Sequence, residues 1–363
     1  MNDEQHTIRI ALVEIGGSHD ECLYSQCLFL QGHAHVTLVV TADLEARLGD
    51  YHWMASSTKV FGFHSSASFQ WKNIWKVYRY LKSQRFDRIV FNTAQGGLKK
   101  LFVLPFPEKT VMLGVIHNTS KFYTGIGQKL INRRVKRYFV LNDYLLPSVS
   151  RLTGLRFASY YPIFFPEWAS ADTIQKPDGA LWIGIPGEVS SKRRDYAVLL
   201  DTLKAWKEKR DVKFILLGRL SAGDRNWIIK QLNDHPDLSA HIIYFEQFVP
   251  IATLHAYMRL CDAVMPLIHP CTQGFSDYLN HKISGAFNLA FAYRKPLIIE
   301  QSFSAIQDLC ENAVFYAGSE LKDTFFTQLM AVLPKIKEGA YRHAKWAFNA
   351  QQQAYLAFTE VRP

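Results

Sequence analysis

TIRIALVEIGGSHDECLYSQCLFLQGHAHVTLVVT, residues 7–41, decides the fold. The run Thr7–Ile15 is rich in aliphatic and β-branched residues, and Gly16-Gly17 then turns the chain. Asp20–Gln31 carries Leu23, Cys27, Leu28 and Leu30 in helical spacing, Gly32 stops that helix, and His35–Thr41 supplies a second strand. Strand, glycine turn, helix and strand make a βαβ unit, whose two strands run parallel.

The alternation continues outward from this unit. Strands are predicted at Arg88–Asn92, Val111–His117 and Tyr138–Leu141. Between Pro162 and Gly179 the periodicity lapses around Pro162, Pro166 and Pro177, as in a connection between domains. It then restarts with strands at Leu181–Ile185, Val212–Gly218, His241–Phe245, Ala263–Leu267, Pro296–Glu300 and Ala313–Tyr316. Helices are expected at Tyr196–Lys207, Arg225–Leu232, Ile251–Leu260, Ser284–Tyr293, Glu320–Leu333 and from Tyr341 towards Phe358. The expectation is an α/β chain of two doubly wound domains, 1–165 and 180–340. Residues 166–179 would join them, and 341–363 would form a terminal helix returning to the first domain.

Composition narrows the function. The 363 residues are 48% hydrophobic and 20% charged, which excludes collagenous and largely disordered chains. Lys plus Arg number 42 against 32 acidic residues, a net +10 that favours anionic partners. Cys22, Cys27, Cys261, Cys271 and Cys310 are scattered and odd in number, the pattern of reduced thiols in a cytoplasmic protein. Met1–Ile10 does not read as a secretory leader, and no apolar run approaches the roughly 18 residues that cross a bilayer. Membrane association, if present, is expected to be peripheral, on the inner face.

Two parallel sheets in tandem would place the carboxyl ends of their strands on either side of a cleft, where such folds bind ligands. In the second domain a strand is followed by Gly187, the cations Lys192, Arg193 and Arg194, and a helix. That order suits phosphate, because a helix amino terminus and neighbouring guanidinium groups both attract it. The same residues also read as a solvated basic loop with Asp195 capping the helix. A second helix start, with Lys282, Ser284, Gly285 and Asn288, adds a cation and small residues, and the two together suggest a diphosphate. His117 ends a strand of the first domain and is followed by Asn118, which suits a proton or hydrogen-bond role. The other histidines lack metal-ligand spacing; His33, His35 and His269 read as loop or strand-edge residues.

The stretch Trp71–Lys82 alternates aromatic and basic residues, and further cations run from Lys121 through Lys129, Arg133, Arg134, Lys136 and Arg137. Such a composition fits anionic lipid headgroups; for Trp71–Lys82 a core-packed helix with a charged outer face is an equal reading, whereas the second stretch favours a membrane or an acceptor phosphate.

These features together resemble a GT-B glycosyltransferase, most closely the retaining group numbered family four. Gly16 and Gly17 resemble that family's acceptor-side opening, and His117 its histidine near the transferred sugar. Gly187 with Lys192–Arg194 resembles the diphosphate loop. Gly218 ends the matching strand, and Phe245–Val249, with Phe248, lies where the base is held. Asp262–Pro266 resembles the strand leading to the sugar loop. The resemblance implies retaining, metal-independent transfer from a UDP- or GDP-type donor to a saccharide acceptor, lipid-linked, in surface polysaccharide synthesis, with no other cofactor. One departure stands out: Ser284–Pro296 holds no carboxylate where the family carries two glutamates, so either Asn288 substitutes as the ribose ligand or that contact is lost. A catalytically silent nucleotide- or partner-binding protein of the same fold is the competing expectation. Nucleic-acid binding has charge alone in its favour, and a nicotinamide enzyme would need a fuller glycine fingerprint than Gly16-Gly17.

Overall fold

The computed structural model describes residues 7–48, 54–107, 109–168, 174–206, 211–318, 321 and 323–361. The chain forms two compact units. The first comprises Met1–Pro166, Asn280–Lys282 and Ala344–Pro363; the second comprises Glu167–Leu279 and Ile283–His343. Residues 169–173 of the expected connection lie outside the described residues, as do the expected helix termini Lys207 and Glu320.

In chain order the first unit runs β1 (Arg9–Glu14), α1 (Glu21–Leu30), β2 (His35–Thr41), α2 (Ala42–Leu48), β3 (Ser57–Phe61), α3 (Trp71–Gln84), β4 (Arg88–Phe91), a 3₁₀ helix (Gly96–Val103), β5 (Val111–Ile116), α4 (Lys121–Thr124), α5 (Ile126–Asn132), β6 (Arg137–Val140) and β7 (Arg156–Ser159). Its sheet has the order β3-β2-β1-β4-β5-β6-β7, and every pairing is parallel. Covered on both faces, β1 is buried from Ile10 to Glu14, which explains its nearly continuous apolar run. Helix α1 is buried almost all round, because the C-terminal helix of the chain lies on it. There Tyr355 donates to Gln26 Oε1 at 3.0 Å and Gln352 donates to the Phe29 carbonyl at 3.1 Å.

The second unit runs β8 (Leu181–Pro186), α6 (Tyr196–Ala205), β9 (Val212–Arg219), α7 (Arg225–Asp234), α8 (Pro236–Ser239), β10 (Ile242–Phe245), α9 (Ile251–Leu260), β11 (Ala263–Val264), α10 (Phe275–Asn280), α11 (Gly285–Ala292), β12 (Leu297–Glu300), α12 (Gln307–Cys310), β13 (Ala313–Tyr316) and α13 (Asp323–Gly339). Its parallel sheet has the order β10-β9-β8-β11-β12-β13. The final helix, α14, spans Phe348–Thr359 and belongs to the first unit.

Several boundaries differ from expectation. The strand expected over Ala263–Leu267 pairs only through Val264, because Pro266 has no N–H and Leu267 adopts φ +54°. The terminal helix starts at Phe348 rather than Tyr341. Tyr341 is left-handed (φ +57°), gives its N–H to Asn312 Oδ1, and is followed by a 3₁₀ turn over Ala344–Trp346. Strands β3 and β7 add an edge to each side of the first sheet. No helix among the described residues is long and apolar enough to cross a membrane.

Candidate active site

Each sheet reverses its direction of winding once, between β1 and β4 in the first unit and between β8 and β11 in the second. Folds of this kind bind ligands beyond the strand ends at such a point.

In the first unit Glu14 ends β1, Asn92 follows β4 and His117 follows β5. Glu14 is buried yet accepts three hydrogen bonds: from Gly16 N (2.6 Å), Asn92 Nδ2 (2.9 Å) and Thr93 Oγ1 (2.5 Å). Burial raises its carboxyl above the usual range, and the three donors oppose that rise. Asn92 also donates to the His19 carbonyl (2.8 Å) and accepts from Gln26 (2.7 Å), so it locks the glycine turn to the sheet. His117 Nε2 donates to the Asn92 carbonyl at 2.6 Å, which assigns the proton to Nε2. Its Nδ1 is then an acceptor, buried and without a hydrogen-bond partner among the described residues.

The His117 ring stacks on His19, with centroids 3.6 Å apart and an interplanar angle of 11°. Burial, and then the charge on His19, push His117 down to about 3. His19 moves the other way. Burial alone would lower it, but its contact with Glu21 (Nδ1 to Oε1, 3.5 Å) and the charges of Glu21, Glu14 and Asp20 outweigh burial and raise it. The arrangement is one neutral imidazole beneath one that readily carries a proton. His19, Glu14, Glu21 and Asn92 were not foreseen. The sequence signal available was the polar SHDE cluster directly after the glycines.

Gly16 and Gly17 shape this loop. The Gly16 N–H is used by Glu14, and the Gly17 carbonyl accepts from Arg47 at 2.8 Å. Gly17 adopts φ +76°, and a Cβ there would collide with Ser65. Asn118 accepts from Ser120 N at 2.9 Å. Lys282, expected with the second domain, is counted in the first unit, where its carbonyl accepts from Tyr144 at 2.9 Å.

In the second unit the residue after β8 is Gly187, at φ +107°, a conformation that disfavours any side chain. Its N–H bonds the Leu217 carbonyl at 3.0 Å, and Gly218 packs so closely on it that a Cβ would strike the Gly187 carbonyl. The three consecutive cations divide. Lys192 and Arg193 are exposed, whereas Arg194 is buried, lies against Gly187, and donates to the Pro266 carbonyl. The three residues expected to bind phosphate together are thus placed differently, the turn into α6 pointing Arg194 inward.

That clamp is one of several between the loops after β8 and β11. Asp195 N bonds the Leu267 carbonyl (2.9 Å), and Gln273 N bonds the Lys192 carbonyl (2.7 Å). Asp195 caps α6 through Val198 N (3.2 Å) and accepts from His269 Nδ1 (2.9 Å) and Cys271 Sγ (3.3 Å). Burial would raise Asp195, but these three donors, His269 first, hold it below the usual carboxylate range. His269, expected at a loop or strand edge, is buried and completes a relay to Tyr316 Oη at 2.7 Å.

At α11, Ser284 caps the helix by accepting from Ala286 N (3.3 Å), and Gly285 is exposed. Asn288 is buried, with its Oδ1 lacking a partner among the described residues. Phe245 is half-buried against Tyr257 (5.7 Å), and Phe248 stands in solvent. Among the described residues no group of three His, Cys, Asp or Glu side chains could hold a metal ion.

No family model matches the chain, and no curated protein matches it in sequence. Solved structures do match in fold, over essentially the whole chain. HepE from Anabaena, bound to UDP, is 15% identical with a TM-score of 0.62 and 98% of both chains covered. A glycosyltransferase from Rickettsia africae ESF-5 is 11% identical with a TM-score of 0.63, covering 98% of this chain and 99% of its own. The Escherichia coli ADP-heptose lipopolysaccharide heptosyltransferase II is 13% identical with a TM-score of 0.52, covering 90% and 99%. The chain thus has the GT-B glycosyltransferase fold. No finer grouping within that fold follows from these neighbours.

Proposed function

We propose that the protein is a glycosyltransferase that moves a sugar from a UDP- or GDP-type nucleotide sugar to a saccharide acceptor. The observation that carries this reading is Arg194. It is a buried guanidinium that meets no carboxylate at ion-pair distance among the described residues, set where the second sheet reverses direction. A buried charge without a counter-ion is costly, and a bound anion would relieve that cost. Lys192 and Arg193, exposed on the same clamped loop, fit the same anion. HepE has been solved with UDP, and separately with UDP-glucose, which agrees with a nucleotide-sugar ligand here.

As the sugar–oxygen bond breaks, negative charge grows on the departing diphosphate. Fixed guanidinium and ammonium groups and the α11 amino terminus would stabilise that charge without reorganising. Asn288, whose Oδ1 has no partner among the described residues, is the group left to accept a ribose hydroxyl. In the first unit neutral His117 offers Nδ1 to a sugar or acceptor hydroxyl, and His19 with Glu21 forms a pair able to hold a proton. Transfer with retention onto a lipid-linked saccharide, as in surface polysaccharide synthesis, is the specific form we propose. The carboxylate-free stretch Ser284–Pro296 favours a second reading, a nucleotide-binding protein of this fold that does not turn over.

Thermal unfolding with a panel of uridine and guanosine diphospho-sugars tests the donor assignment, because a ligand of the native state raises Tm by mass action. A Tm rise with one nucleoside series, accompanied by release of nucleoside diphosphate when saccharide acceptors are added, is expected. A shift without turnover would support the second reading, and no shift with any member would remove both.

A further inference from the structure

One face of the first unit takes no part in the chemistry above. Helix α3 packs inward through Asn73, Ile74, Val77, Tyr78 and Leu81. Its opposite stripe presents Trp71, Lys72, Trp75, Lys76, Arg79 and Lys82, all exposed. Trp71 and Trp75 are 55% and 50% exposed. A solvated charged face has no need of two indoles.

The neighbouring 3₁₀ helix extends the pattern. The Lys100 ammonium stands 5.7 Å over the Trp71 ring, and Val103 is 59% exposed. The Lys99 stem lies against Gly127 of α5, beside Ile126, which is 87% exposed. A groove of about 440 Å³, lined by Trp75, Tyr78, Arg79, Lys82, Ser83 and Pro105, runs along the helix.

Charge is concentrated over the same stretch. Residues 69–142 contain fifteen Lys and Arg but only Asp87 and Glu108 as acids, a local net of +13 that leaves the remainder of the chain at −3. Among the described residues none of Lys72, Lys76, Arg79, Lys82 and Lys99 meets a carboxylate at ion-pair distance.

We infer that this face docks on a bilayer rich in anionic phospholipid. The lysines and Arg79 reach headgroup phosphates while Trp71, Trp75, Val103 and Ile126 sit at the edge of the hydrocarbon. A nucleic acid would use the cations, and bases could stack on the indoles, but an exposed Val and Ile among them are matched by acyl chains and not by a phosphate backbone. The inference stands apart from the transfer reaction, since docking requires neither donor nor acceptor.

Flotation of the full chain with vesicles tests it, using phosphatidylcholine with or without about 30% phosphatidylglycerol at about 0.1 M salt. Recovery on the anionic vesicles alone is expected, weakened as salt rises. Each cation near the surface contributes about fivefold in partitioning, so the triple change K76E/R79E/K82E should lower recovery by about two orders of magnitude or more. The milder W71A/W75A, whose side chains are exposed and whose Tm should match the parent, should also lower it. Equal recovery on neutral and anionic vesicles would overturn the inference. So would undiminished vesicle binding by W71A/W75A with homopolymeric RNA displacing the vesicles, which would make this a polyanion site.

Discussion

Arg194→Ala separates a guanidinium that holds the protein together from one that serves a ligand alone. The side chain is 8% exposed, donates to the Pro266 carbonyl and fills the space beneath Gly187. Truncation removes a hydrogen bond from a charged donor, worth roughly 1.5–3 kcal/mol, and leaves a buried carbonyl and a void. A total of about 2–4 kcal/mol is expected. At about 2–4 °C per kcal/mol for a body of this size, calorimetry without ligand should show the second unit melting roughly 4–16 °C lower. Arg193→Ala, whose side chain is exposed, should leave that transition within about 2 °C while weakening binding of nucleoside diphosphate. An Arg194→Ala protein that melts with the parent but loses nucleotide as Arg193→Ala does would refute the reasoning, since the guanidinium would then hold no part of the fold.

Glu21→Gln removes the main influences that raise His19, so burial should then dominate and its titration should move down, as followed by imidazole NMR. In the parent, the raised His19 pKa contributes stability that is complete below the unfolded value of about 6.5 and is lost as pH rises through the folded pKa; the variant should lack that slope. Asp195 behaves oppositely: its depressed pKa contributes stability above the unfolded value of about 3.9, lost as pH falls through the folded pKa. Asp195→Asn should therefore cost about 1–2 kcal/mol at neutral pH and almost nothing at the acid end of a pH series of melts. Gly218→Ala should push the Gly187 turn aside and cost about 1–3 kcal/mol, whereas Gly285→Ala, which opens onto free space, should be neutral or slightly stabilising in the same assay.

Much of the fold was legible because central parallel strands are buried on both faces and so read as continuous aliphatic runs; β1, β2 and β8 follow this rule closely. The edge strands β3 (STKVF) and β7 (RFAS) lack it, being half-exposed, and escaped notice for that reason. The ends were harder. A run such as AVMPL looks uniformly strand-like until Pro266 withdraws a donor and Leu267 turns left-handed. The cations at 192–194 look equivalent as letters, and only the phase of the turn into α6 sets Arg194 apart. His117 could be seen as a strand end. His19 could not, because its meaning arises when the order β1-β4-β5 brings three loops together that are distant in the chain.

The pairing of those two histidines follows from electrostatics alone. Two imidazolium rings 3.6 Å apart would repel strongly, so the stack can hold one proton readily and a second only at low pH. Its place is fixed by the carboxylates. Glu21 and Glu14 face His19, while His117 must keep Nε2–H on the Asn92 carbonyl and has burial against it, so the charge resides on His19 and the lone pair on His117 Nδ1. The first unit thereby holds one proton-carrying group and one pure acceptor side by side, and in the second Lys192, Arg193 and Arg194 meet no carboxylate at ion-pair distance among the described residues. Both sets lie beyond the strand ends at the point where each sheet reverses direction, the place where folds of this kind bind ligands.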